Sequence, residues 1–319
     1  VYLDHTVLIV LSGSALAGAM AGAVGCFTYL RKEGLLGGIV AHSSLLGITG
    51  AFLLGSLLGG AELAERWILP GALLGGIVSM LFVSLVTRAT PVKPDTAMGV
   101  TVALFFGGGL FLLRILQALA LPGHRVLRDY LFGQAATITR QETLLLLILA
   151  CSVGIGLFLF WKELKLYSFD PHFSLSSGYP SRILNHLLIL VVVVAVVAGL
   201  RTMGVVLMVS LLVSPAAAAR QWTKRLGTMM GLASILGALA GATGTLLSAT
   251  ARNVPTGPVI ALAATSFALI SLLVAPRRGI LARLVQQRRN RKEFFPFPSQ
   301  DRPGRDRPDQ IGLHPGGRA

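Results

Sequence analysis

His42 is the ionisable side chain placed nearest the middle of any long apolar run in this sequence, within Leu-Leu-Gly-Gly-Ile-Val-Ala-His-Ser-Ser-Leu-Leu-Gly-Ile. A neutral imidazole is a good ligand for Zn²⁺ and an acceptable one for Mn²⁺ or Fe²⁺, and ionisable groups within apolar spans serve function more often than those in soluble proteins. The competing reading is a histidine hydrogen-bonded within helix packing. Ser43 and Ser44 are expected to bond back to their own helix rather than to hold a metal. In a later apolar run, Ser214-Pro215 frees a backbone carbonyl and should kink the helix, a device that serves gating and ordinary packing equally well. A third group lies in the polar stretch 162–182 (KELKLYSFDPHFSLSSGYPSR). There Ser168-Phe169-Asp170-Pro171 reads as a helix start with Asp170 as N-cap, and Gly178 as the helix end.

The elements that carry these residues follow from composition. Of 319 residues, 54% are hydrophobic and only 13% charged, about half the charged share of a soluble domain. The apolar residues fall into nine blocks, at about 7–30, 35–60, 67–88, 97–121, 143–161, 183–200, 204–222, 228–250 and 258–276. Each is near the length of about 20 residues that crosses a bilayer. Isolated strands cannot cross lipid, so the blocks should be helices, rich in Gly and Ala where they pack closely. The sixth and seventh blocks are separated only by Arg201-Thr202-Met203, a tight hairpin or a broken pair. The expected fold is therefore an all-α integral membrane protein, a polytopic bundle of eight or nine transmembrane helices. Residues 1–276 would form the membrane domain and 277–319 a basic, Pro/Gly-rich disordered tail on the cytoplasmic side.

The formal net charge of +15 would suggest nucleic acid in a soluble protein. Here 11 of the 28 Lys and Arg lie in the tail and most others in alternate short loops, which reads as topology signals and attraction to anionic lipid, with no nucleic acid. Loops carrying Arg31 and Lys32, Arg88 and Lys93, Lys162, Lys165 and Arg182, and Arg220, Lys224 and Arg225 should be cytoplasmic, with the N-terminus outside and the C-terminus inside. The first block is followed, not preceded, by basic residues, the reverse of a cleavable signal peptide. Asp95 reads as a helix N-terminal residue; Arg114 and Arg201 read as side chains that snorkel to the interface. Loop 122–142 mixes charge with apolar anchors and suits the membrane surface. Cys26 and Cys151 lie in apolar blocks and read as packing residues.

Several chemistries are missing. The sequence holds no G-x-x-x-x-G-K-[ST] phosphate loop, H-E-x-x-H or G-x-S-x-G motif. All thirteen acidic residues lie outside the centres of the apolar blocks, whereas a proton-coupled carrier usually keeps a carboxylate there. Transport powered by a separate ATPase remains, and the 162–182 segment is either the part such an ATPase grips or an ordinary connection.

Six collinear motifs resemble the ABC-3 family of metal permeases. They are Gly25-Cys26-Phe27 through Leu30-Arg31-Lys32 and Leu35-Leu36-Gly37 to Ala41-His42; Lys93-Pro94-Asp95-Thr96-Ala97-Met98-Gly99; Tyr130-Leu131-Phe132-Gly133; Phe169-Asp170 with Gly178; Gly204-Val205-Val206-Leu207-Met208 leading to Ser214-Pro215-Ala216-Ala217; and Pro255-Thr256-Gly257-Pro258. The resemblance implies a type II-like ABC importer permease in a bacterial inner (plasma) membrane. It implies a second permease subunit, homo- or heterodimeric, an ABC ATPase subunit that binds the ATP, and an extracytoplasmic metal-binding protein. The cargo would be a divalent ion, manganese or zinc before iron, with no permanently bound cofactor and no enzyme activity in this chain. Phe169, Asp170 and Gly178 would belong to the helix received by the ATPase, and Ser214 and Pro215 to a gating kink. One departure concerns the path: the family motif reads Leu-Leu-Gly-Asp-x-x-x-His, and here the Asp position is Gly38. A permease for a chelated metal of siderophore or cobalamin type is the nearest alternative, and a non-transporting membrane scaffold or sensor the next.

Overall fold

The computed structural model describes residues 5–119, 127, 133, 138–176, 178–179, 181–250 and 254–275. The described residues are helical almost throughout: α1 (His5–Leu30), α2 (Leu36–Ala89), α3 (Pro94–Ala118), α4 (Arg140–Leu159), α5 (Trp161–Phe169), α6 (Pro171–Ser176), α7 (Ser181–Trp222), α8 (Leu226–Thr250) and α9 (Thr256–Val274). All but the short α5 and α6 are long and apolar enough to cross a membrane, which gives seven candidate spans. The predicted tail and most of loop 122–142 lie outside the described residues.

Two of the seven are folded pairs. At 1.5 Å per residue the 54 residues of α2 would reach about 80 Å, far beyond the ~30 Å hydrocarbon layer. Gly59 (φ −156°, ψ 16°) and Gly60 (φ 78°, ψ −165°) break it, and the positive φ at Gly60 is open to glycine at little cost. The halves return antiparallel: Gly55 meets Ala64, Gly47 meets Gly71 and Gly75, and Gly76 meets Val40 and Ser44. α7 breaks likewise at Gly204 (φ 76°), after which Met208 packs back onto Gly199. The predicted boundary at 201–203 is thus a broken pair whose corner falls one residue later. Counting the halves separately, nine apolar helical segments run between two ends among the described residues; the connections with Arg31 and Lys32, with Arg88 and Lys93, with Lys162 and Lys165, and with Arg220, Lys224 and Arg225 share one end, hereafter the basic end, while Arg66, Arg140 and Arg201 lie toward the other.

Small residues let the backbones touch. On α1, Ser14, Gly18 and Gly22 lie one turn apart and face Gly241, Gly237 and Ala233 of α8, with Gly18 and Gly237 directly opposed, backbone to backbone. Lipid tails are as apolar as leucine, so such contact, rather than exclusion from water, holds membrane helices together. A buried polar clasp tops the seam: the Ser14 and Thr245 hydroxyls are 2.8 Å apart, and Ser14 Oγ donates to the Gly241 carbonyl at 3.2 Å. Cys26, as expected, is a packing residue, fully buried with its thiol donating to the Gly22 carbonyl at 3.3 Å. Cys151 differs, lying exposed on the outside of α4.

The core of the bundle is the first half of α7, where Val192, Val193, Ala195, Val196 and Val197 are all at most 1% exposed. A helix apolar on every side belongs in the middle of a bundle, and α7 accordingly touches α1, α2, α4, α8 and α9. α9 is tied to the basic end of α7 by the Trp222 indole, which donates to Ser271 Oγ at 3.1 Å. As predicted, Asp95 is a helix N-terminal residue, in the first turn of α3, which starts at Pro94.

Replacing Gly18 by Val should destabilise the bundle by about 1–3 kcal/mol through overpacking, because the new Cβ enters the Gly237 carbonyl. Ala at Gly154 or Gly231, where a Cβ meets nothing within 4 Å, should be neutral. Thermal unfolding in detergent distinguishes the three variants.

Candidate functional site

His42 occupies the seventh position of α2, about 9 Å along the helix from its start. Its ring stands edge-on to Phe106 of α3, with centroids 5.0 Å apart and planes at 77°. Nδ1 is buried and has no hydrogen-bond partner among the described residues. Buried polar atoms are nearly always paired, so an orphan within a protein calls for an explanation. The histidine is therefore not tied through this nitrogen into helix packing. Ser44 Oγ donates to the Val40 carbonyl at 2.7 Å, the expected back-bond. Ser43 makes no such bond, and its fully buried hydroxyl is a second orphan beside the imidazole in sequence.

Gly38 lies one turn before His42 on the same face. A Cβ placed there would find only the Val209 methyls, at 3.8 and 3.9 Å, an ordinary contact. Val209 belongs to the second half of α7, five residues ahead of Ser214 (half-buried) and six ahead of Pro215 (buried). The face that carries Gly38 and His42 thus looks toward α3 on one side and toward the second half of α7 on the other. The backbone keeps helical dihedrals through Ser214 and Pro215; the non-helical residue within α7 is Gly204.

Among the described residues no three His, Cys, Asp or Glu side chains gather in a way that could hold a metal ion. A groove of ≈ 490 Å³ between the halves of α2 and α3 is lined by apolar residues, among them Leu46, Leu54, Trp67, Leu74 and Phe105, and offers no ligating side chain.

The third group, Phe169, Asp170 and Gly178, is separate from the first two and lies at the basic end. The sequence reads one short helix there; the structure has two, with Asp170 at the joint. α5 ends as Asp170 N–H bonds to the Leu166 carbonyl at 3.0 Å, and α6 begins as Asp170 Oδ1 accepts from Phe173 N–H at 2.9 Å. Gly178 stops it with φ 81°, its N–H bonded to Leu175 O at 3.1 Å and Tyr179 N–H to Ser174 O at 3.1 Å. The pair presents Phe169, Phe173, Leu175 and Tyr179 outward, each 40% or more exposed.

Two arginines differ from the sequence reading. Arg201 does not merely snorkel: its Nε donates to Glu142 Oε1 at 2.9 Å. Glu142 also completes the cap of α4, its Oε2 accepting from Thr139 N–H at 2.9 Å while Thr139 Oγ1 accepts from Glu142 N–H at 3.3 Å. The corner of α7 is thereby tied to the start of α4, and Gly133 (φ 69°) packs on the same corner at Met203 and Gly204. Arg31, taken from sequence as a topology signal, is largely buried. Its Nη2 donates to Glu33 Oε1 at 2.9 Å and to Asn185 Oδ1 at 3.1 Å, and its guanidinium lies 4.8 Å from the centre of the Tyr167 ring. No local pattern marks Arg31 as different from Lys32; only the tertiary partners do.

Fold and site together define a polytopic helical membrane protein with few polar groups in its interior. Residues 4–275 match the ABC 3 transport family, and the chain belongs to that family. It is 38% identical to the "Zinc transport system membrane protein TroC" of Treponema pallidum over 288 residues, 90% of this chain and 95% of that protein. With the "Manganese transport system membrane protein MntC" of Bacillus subtilis it shares 39% identity over 89% of this chain and 64% of that one. Among solved structures it is similar to "PsaBC from Streptococcus pneumoniae in complex with Fab", with 28% identity, a TM-score of 0.75, and coverage of 89% of this chain and 95% of that chain.

Asp170→Ala should cost the α6 start about 1 kcal/mol, read as faster amide exchange at Phe173, whereas Asp170→Asn should keep the cap. Gly178→Ala forces a side chain into positive φ at about 1–2 kcal/mol, with faster exchange at Tyr179.

Proposed function

We propose that this chain is the membrane-spanning permease subunit of an ATP-driven importer of divalent metal ions, manganese or zinc first and iron third. The relatives named for zinc and manganese transport support the cargo class. The observation that carries the reading within this chain is the buried, unpartnered Nδ1 of His42. A neutral imidazole offers a lone pair to a borderline-soft cation and needs no proton movement to do so. One such ligand holds an ion weakly. That suits a path, where binding must favour entry yet permit release.

The remaining ligands come from outside this chain's helix face. Gly38 supplies none, and a Cβ there meets only ordinary contact, so the position tolerates a carboxylate in a related chain. We assign the missing oxygen ligand to a second, non-identical permease subunit that pairs with this one around the path. The basic end faces the cytoplasm of a bacterial inner (plasma) membrane, placing the N-terminus outside and the C-terminus inside. There the outward aromatic residues of α5 and α6 dock an ABC ATPase subunit, which binds and hydrolyses the ATP. An extracytoplasmic metal-binding protein delivers the ion at the opposite end. The second half of α7, with Ser214 and Pro215, flanks the path opposite Gly38 and moves as the gate.

His42→Ala should lower metal uptake by roughly tenfold, about 1.4 kcal/mol, while the variant still co-purifies with its ATPase; unchanged uptake rejects the ligand role. Gly38→Asp should raise the apparent affinity for Mn²⁺ or change its rate of passage, and identical uptake curves reject the assignment of the carboxylate to a partner.

A further inference from the structure

The cluster around Arg31 joins three segments that are far apart in sequence. Arg31 and Glu33 belong to the turn between α1 and α2, Tyr167 to α5, and Asn185 to the first turns of α7. Tyr167 Oη donates to Asn185 Oδ1 at 3.3 Å, so the tyrosine and the arginine converge on one amide oxygen while the guanidinium lies over the tyrosine ring. The other end of α5 is fastened separately. Trp161 stands edge-on to Phe27 of α1, centroids 6.2 Å apart. α5 therefore meets the end of α1 at both of its own ends, through Phe27 and through Arg31.

The turn itself is stiff. Glu33 N–H bonds to Thr28 O at 2.9 Å and Leu36 N–H to Glu33 O at 3.0 Å. Lys32 takes φ 60°, a conformation that non-glycine residues adopt at a cost and that the surrounding bonds must hold. Immediately beyond lie Gly37, seated on Leu212, then Gly38, and His42 a turn further. A displacement of α5 and α6 has little slack to absorb it before it reaches the helix face with the imidazole.

We infer that Arg31 is a positioning residue that transmits movement of the α5–α6 pair to the helix bearing His42, so that nucleotide hydrolysis below is coupled to ion passage above. This rests on the proposed function. A guanidinium suits the task because one planar group stacks on an aromatic ring and donates in its own plane at the same time.

The test uses the complete transporter, reconstituted in vesicles with its ATPase and metal-binding protein, with Mn²⁺ uptake and phosphate release measured together. Arg31→Met and Tyr167→Leu should each lower the Mn²⁺ moved per ATP by about fivefold or more, with hydrolysis largely retained. The double variant should fall no further than the worse single one, and Arg31→Lys should recover part of the ratio. A merely structural role would lower uptake and hydrolysis in parallel, which overturns the inference, as does an unchanged ratio. Should Arg31→Met fail to assemble, Tyr167→Phe removes only the hydroxyl bonded to Asn185; an unchanged ratio there overturns the inference too. Wild-type vesicles that accumulate no Mn²⁺ would overturn the transport reading and this inference together. Wild-type accumulation with unaltered variants overturns this inference alone.

Discussion

Close approach of helix backbones is the interaction on which this structure depends. In lipid there is no water to drive leucine against leucine, and packing must come from contact between backbones that small residues permit. α1 is held this way against α8 through Gly18, Gly22, Gly237 and Gly241, and against α7 where Gly25 meets the Leu212 backbone. The two halves of α2 close on each other through Gly47, Gly71 and Gly75. Each seam leaves no room for a methyl group. Close packing of this kind makes each of these pairs rigid.

That rigidity gives meaning to the few polar groups. At the basic end, the Arg31 cluster binds the α1–α2 turn to α5 and α7. At the opposite end, Glu142 and Arg201 bind the start of α4 to the corner of α7. Between them, the His42 ring stands against Phe106, with Nδ1 unpartnered among the described residues. Among the described residues no three His, Cys, Asp or Glu side chains gather to hold a metal ion, so the proposed role of His42 is that of a single ligand.

Much of this was legible in sequence because the signals are local. Block lengths gave eight or nine crossings, Asp170 and Gly178 gave the limits of α6, and Asp95 marked the N-terminal turn of α3. Local signals also set the errors. Ser168-Phe169-Asp170-Pro171 reads as a helix start with Asp170 as N-cap, which the structure keeps, but the residues up to Phe169 form a second helix, α5, that the local pattern does not show. Arg201 and Glu142 are 59 positions apart, and no pattern in either neighbourhood announces their bond. Arg31 looks like any basic residue flanking a span until Asn185, 154 positions away, is brought beside it. Ser43 and Ser44 are adjacent and chemically identical, yet only Ser44 bonds back to the helix.

The central claim is that these helices form a passage for a divalent cation driven by a separate motor. Vesicles containing this chain, its partner permease subunit, the ATPase and the metal-binding protein provide the direct measurement, as internal Mn²⁺ or Zn²⁺ over time with and without ATP. Accumulation is expected, and should require ATP and every component. Hydrolysis of ATP with no metal gained inside the vesicles would contradict it.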